Sequence, residues 1–197
     1  MSAVSHHCDE GPMFFNADET RTLDAVTARV MPSEPDGRGA REACVVTYID
    51  RAVAGYFRDL QGIYRVGLQR LDDCCRAGYG KAFADLTTAE QDEALLAVEG
   101  AADSAVSLAA KAMLAADRRE SVLPRFFAIV REHTIQGMFC DPLYGGNRDF
   151  TGWKLIGFPG AQWGYTAEQM LEGFDATTIS ILSLSDLQRA RTGPSHD

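Results

Sequence analysis

The 197-residue chain contains no apolar run approaching the ~20 residues that a membrane-crossing helix needs. It also lacks an excess of positive charge. Against 28 Asp and Glu stand 19 Lys and Arg, a formal net charge of −9. That balance disfavours nucleic acid, whose binders carry a basic stripe, and it disfavours anionic lipid. No stretch alternates β-branched with polar residues, so no strand is predicted. The five cysteines, Cys8, Cys44, Cys74, Cys75 and Cys140, are odd in number and show no C-x-x-C spacing. This argues against a disulfide scaffold or a zinc ribbon and predicts reduced thiols, mostly buried. The start, MSAVSHHCDEGPMFF, has neither the basic nor the apolar part of an export signal and no twin arginine. A cytoplasmic chain is expected, or a periplasmic one that is exported with a partner carrying the signal.

What is present is helical. Hydrophobic residues make up 46% and charged residues 24%, which suits one domain with a real core. Asn16 followed by Glu19 is a capping box, and Leu23, Val26 and Val30 follow at helical spacing. Met31-Pro32 ends that helix. A second is predicted from about Ala40 to Leu60, and a third from about Ile63 to Ala77 with Gly78 as its C-cap. Thr87 or Thr88 caps a fourth, Gly100 breaks it, and Ala101–Ala116 has high helix propensity. Pro124 opens a helix that Gly137 ends or lets approach a neighbour closely. Thr166 with Gln169 caps a last short helix. The expected fold is all-α: an irregular helical domain with a long, ordered, glycine- and aromatic-rich C-terminal arm. Residues 1–13 are expected to be disordered, 14–138 to form the helical body, 139–165 the irregular arm, and 166–197 a C-terminal helix and tail.

Reactive groups are scarce. There is no P-loop lysine and no G-x-S-x-G elbow, and Gly145-Gly146 follow a helix instead of a strand. His133, Cys140 and Asp141 do not have metal-ligand spacing. His6-His7-Cys8 sits at a terminus, where adventitious chelation is the ordinary reading. His133 and Asp50 are the acid–base candidates if the chain is a small stand-alone enzyme. A homo-oligomeric helical scaffold is the other alternative.

The segment Asp141–Gly160, DPLYGGNRDFTGWKLIGFPG, is richer. Glycine and proline shape its backbone, while large rings there must bury against something. Tyr, Trp and Arg dominate protein interfaces. The candidate partner-binding residues are therefore Tyr144, Asn147, Arg148, Trp153, Lys154 and Phe158, with Asn147 also suited to tying the arm's own backbone.

The order of motifs resembles one family. They are Phe15 with Glu19, Met31-Pro-Ser-Glu-Pro-Asp, Gly39-Ala-x-Glu-Ala43, Tyr48-Ile-Asp50, Phe83 with Leu86, Phe126-Phe127 and His133-Thr134-x-x-Gly137. Asp141-Pro-x-Tyr144-Gly-Gly-Asn147, Gly152-Trp153 and Gly157-Phe-Pro-Gly160 complete the series. The chain is similar to the gluconate 2-dehydrogenase subunit 3 family, the small (gamma) subunits of flavin-dependent sugar dehydrogenase complexes. The resemblance implies a non-catalytic accessory or chaperone subunit without a cofactor of its own. Its partner would be an FAD-containing large subunit similar to glucose–methanol–choline (GMC-type) oxidoreductases. Some such complexes add a cytochrome c. The resemblance also implies a small subunit that carries the export signal, and here the sequence departs from it.

Overall fold

The computed structural model describes residues 11–100, 107–117 and 121–192. Eight α-helices and no strand occur among them, so the fold is all-α. Helix α1 (Ala17–Val30) begins at Asn16 with both capping-box bonds formed, and α4 (Thr88–Val98) begins at Thr87 with Glu90 in the same way. Each box satisfies orphan N–H groups of the first turn, which is why these two starts fall where the sequence puts them.

Elsewhere the boundaries move, and each shift has a physical reason. Helix α2 covers Val45–Ala54 only. Cys44 ahead of it is left-handed (φ 54°), and Gly55 closes it, so the chain leaves through turns and a 3-10 turn at Arg58–Leu60. Helix α3 (Gln61–Tyr79) runs past Gly78 to a left-handed cap at Gly80. Gly78 serves close packing instead. A Cβ there would lie 2.4 Å from the Ala109 carbonyl of α5 (Leu108–Ala116) and 2.9 Å from Met113. The missing side chain lets α3 and α5 pack at close range, and these two helices share the most extensive helix–helix contact among the described residues. Residues 101–106 of the predicted alanine-rich helix lie outside the described residues. Helix α6 (Leu123–Phe139) carries Pro124 in its first turn and continues through Gly137. Gly137 is the close-approach case, with the Tyr48 ring where a Cβ would be.

The core lies between α1, α2, α3 and α6. Leu23 and Val26, then Val45, Ile49 and Val53, face Tyr64, Leu68 and Leu71, with Phe126 and Val130 closing the far side. The segment ahead of α1 is held by α2. Asp50, buried, accepts the backbone N–H groups of Met13 (2.5 Å), Phe14 (3.0 Å) and Phe15 (2.9 Å). Arg65 stacks over the Phe14 ring and donates to its carbonyl. Order therefore begins before residue 14, whereas residues 1–10 lie outside the described residues.

After α6 the chain makes 3-10 turns at Pro142–Tyr144 and Arg148–Phe150 and then a short helix, α7 (Thr151–Ile156). The arm is thus compact and partly helical. Thr166 and Gln169 form their reciprocal bonds, yet residues 167–172 make only turns. So short a helix needs packing to persist, and Met170 and Leu171 face solvent. The last helix, α8 (Leu184–Thr192), comes later.

Asp50→Ala strands three backbone donors at once. Urea unfolding should show a loss of ~2–4 kcal/mol, and proteolysis should cut first near residues 11–15. An unchanged midpoint would show that Asp50 does not anchor this segment.

Candidate partner-binding surface

The arm is built around one amide. Asn147 is fully buried (0% exposed) and left-handed (φ 47°). Its backbone N–H donates to the Gly137 carbonyl (2.8 Å), and its side-chain NH2 to the Cys140 carbonyl (2.8 Å). Its side-chain oxygen accepts from the N–H of Gly152 (2.8 Å) and, more weakly, of Trp153 (3.4 Å). The amide thus ties the end of α6 to the start of α7. Asp149 and Phe150 are also at positive φ, a conformation that costs non-glycine residues ~1–3 kcal/mol each unless the surroundings hold it. Trp153, 5% exposed, donates its indole N–H to the Phe139 carbonyl (2.8 Å), with Phe150 stacked on it and Phe158 edge-on. Asn147 and Trp153, both predicted to bind a partner, are therefore spent inside the chain.

Asp141 ties in the tail. One carboxylate oxygen accepts from Leu143 N–H (2.9 Å) and the other from Leu184 N–H at the start of α8 (2.7 Å). Arg148 donates its backbone N–H to the Ala43 carbonyl (3.1 Å), and its guanidinium lies near Asp149 and 3.8 Å from the Cys44 sulfur. Cys44 is disulfide-bonded, which corrects the expectation of reduced thiols throughout. Cys74, Cys75 and Cys140 are free thiols. Burial pushes Cys75 and Cys140 each up to about 12, so both are neutral and weakly nucleophilic near pH 7.

Tyr144, Lys154 and Phe158, the other predicted contact residues besides Arg148, are exposed. Tyr144, 54% exposed, lies on the rim of a groove of about 820 Å³. Tyr56, Phe57, Ile135, Phe139 and Leu143 line it, with Arg51, Tyr48 and Gln136 as its polar groups. Lys154, Leu155, Ile156 and Phe158 are exposed on and after α7. Beyond them Trp163 (71%), Tyr165, Met170 (69%) and Leu171 are exposed too. Large apolar groups left exposed, where they gather into a patch, mark interaction sites. Reading the sequence alone does not select Tyr56, Ile135, Trp163 or Met170. A signal exists for Ile135, Trp163 and Met170: each is a large apolar residue that no helical stripe claims, whereas Tyr56 or Phe57 is expected in the stripe of the second helix.

The acid–base candidates have internal partners. Asp50 holds the N-terminal segment. The His133 Nδ1 is 2.8 Å from the Tyr64 hydroxyl, and its ring stacks on Phe57 (4.5 Å). Burial disfavours the imidazolium and lowers the His133 pKa. His133, Cys140 and Asp141 do not converge, and among the described residues no group of three or more His, Cys, Asp or Glu is placed to hold a metal. No helix among them is long and apolar enough to cross a membrane.

Two outcomes test this geometry. Asn147→Ala should cost ~3 kcal/mol or more by breaking several buried bonds together, whereas Tyr144→Ala should stay within ~0.5 kcal/mol in urea unfolding of the isolated chain. His133 has a folded pKa below the ~6.5 of the unfolded chain. Its contribution is therefore full above that value and is lost as pH falls through the folded pKa. Thermal melts from pH 7 to pH 5 should fall less steeply for His133→Gln than for the unaltered protein.

The family model described as gluconate 2-dehydrogenase subunit 3 covers residues 17–160. That range takes in the helical body and the arm through Gly160. No curated protein and no solved structure matches the chain. With a single family model matching well over half its length, the chain belongs to the gluconate 2-dehydrogenase subunit 3 family.

Proposed function

We propose that the chain is a non-catalytic accessory subunit that binds and stabilises the FAD-containing, GMC-type large subunit of a sugar or glycoside dehydrogenase complex. The observation that carries this reading is the set of exposed large apolar residues between Leu143 and Leu171, of which Leu143 and Tyr144 share a groove with Tyr56 and Ile135. Membership of a family named for a dehydrogenase subunit supplies the reason for such a surface: a subunit needs an interface. The flavin would belong to the large subunit and would supply the redox chemistry there, leaving no chemical step to this chain. A cytochrome c subunit would serve as the onward electron acceptor.

The physical mechanism is burial and mass action. Exposed rings on the two partners leave water together, and a chain that binds only the folded large subunit stabilises it in proportion to its concentration. Tyr144, Lys154 and Phe158 remain in the proposed contact set, with Arg148 at its edge. Tyr56, Trp163, Tyr165 and Met170 join them. Asn147 and Trp153 act by holding the arm in shape.

Co-expression with an FAD-containing, GMC-type large subunit should give a yellow complex in which this chain is stoichiometric. Trp163→Ala should weaken that complex ~30-fold or more if the ring is an anchor, with the melting temperature of the isolated chain unchanged. Trp153→Ala should lower the isolated chain's own melting temperature instead. Turnover of a sugar by the isolated chain with an artificial electron acceptor would defeat the proposal.

A further inference from the structure

The loop after α7 differs from the rest of the chain in its charge. Between Lys154 and Arg189 there is no lysine, arginine or histidine, while Glu168, Glu172, Asp175 and Asp186 all fall within that interval. Elsewhere the helices neutralise many of their own carboxylates: Arg29 pairs with Asp92, Arg41 with Asp24 and Arg65 with Glu19. Asp186 has such a partner in Arg189. Asp175 accepts from the N–H (3.0 Å) and the hydroxyl (2.6 Å) of Thr177, bonds that favour its charged form without cancelling the charge. Glu168 and Glu172 are exposed and form no ion pair among the described residues. These charges sit among apolar groups, since Trp163, Tyr165, Met170 and Leu171 are exposed as well. One turn holds both kinds together. Met170 N–H donates to the Thr166 carbonyl (3.2 Å) and Leu171 N–H to the Glu168 carbonyl (3.1 Å), with Glu172 next in the chain.

We propose, on the accessory-subunit reading above, that this loop docks into an apolar recess of the large subunit rimmed by lysine and arginine, which supplies the counter-charges that Glu168, Glu172 and Asp175 lack in their own chain. The two kinds of side chain do different work. The rings, Met170 and Leu171 supply affinity as they leave water. The carboxylates around them steer the encounter and select the partner, because like signs brought together across an interface are strongly unfavourable. A partner surface with an acidic rim is therefore rejected. At physiological salt such charges act over only ~8 Å. The basic groups thus belong to the recess itself and not to a distant face of the large subunit.

The test uses the full chain, tagged and co-expressed with an FAD-containing, GMC-type large subunit, and reads the flavin bound per tagged chain after capture. Glu168→Lys combined with Glu172→Lys should hold roughly tenfold less flavin than the unaltered chain, with the variant's own melting temperature unchanged. Glu168→Gln combined with Glu172→Gln, of the same size but without charge, should fall between the two. Asp18→Lys combined with Asp73→Lys makes the same change in net charge at exposed positions of α1 and α3, and should capture as much flavin as the unaltered chain. Capture by the lysine loop variant equal to or above that of the unaltered chain overturns the basic recess and leaves the carboxylates a role in solubility alone. An equal loss in the α1 and α3 variant assigns the effect to net charge and overturns it too. An unaltered chain that captures no flavoprotein defeats the accessory-subunit reading itself, and the docking loop with it.

Discussion

The arm depends on a buried carboxamide. A chain that leaves regular structure must satisfy every backbone donor and acceptor it buries, and helices and sheets are the usual means. Asn147 fills that role for the turn between α6 and α7. Its two donors and its oxygen reach the ends of both helices at hydrogen-bond distance. The left-handed backbone at Asn147, Asp149 and Phe150 is tolerated because these bonds hold it. Next to that amide Phe150 stacks on the buried Trp153, while Phe158 meets the indole edge-on from the exposed side. A glycine-punctuated segment is ordered here without a period of its own.

How much of this is legible in the chain alone follows from what kind of signal each feature leaves. The starts of α1 and α4 are legible because a capping box is a local pattern whose two bonds both close within four residues. The second helix is predicted too long, since nothing in Cys44 advertises a left-handed backbone and Gly55 is tolerable inside an apolar stripe. Gly78 resembles a cap because a glycine near a helix end is ambiguous. Whether it terminates or admits a neighbour depends on α5, more than twenty residues away. Trp153 and Trp163 show the same limit at the candidate site. Both are tryptophans in polar, glycine-rich surroundings, yet one finds the Phe139 carbonyl for its indole N–H and the other stays in water. Residue type marks a ring as important but does not say which way it points.

The two sets of aromatic residues divide the work. The inward rings shape the arm and leave little of themselves for contact. The outward ones sit on two different supports: a groove floored by α2 and α6, and a loop that follows α7. The groove is carried by the main core, so its shape is set before any encounter. The loop carries its apolar groups on turns with mostly local hydrogen bonds. A partner meeting both would find one rigid face and one adaptable face, which suits recognition of a larger protein better than capture of a small ligand.

The loop also has a drawn neck. Gly160 and Leu182 meet as an isolated parallel bridge: Ala161 N–H donates to the Leu182 carbonyl, and Leu182 N–H to the Pro159 carbonyl. Asp141 pins the chain again two residues later, at Leu184. Everything between is a pouch whose mouth is stitched shut and whose lining can be recut. Residues there are free to be inserted, deleted or exchanged to suit a different companion, while the stitches keep such tailoring from reaching the body beneath.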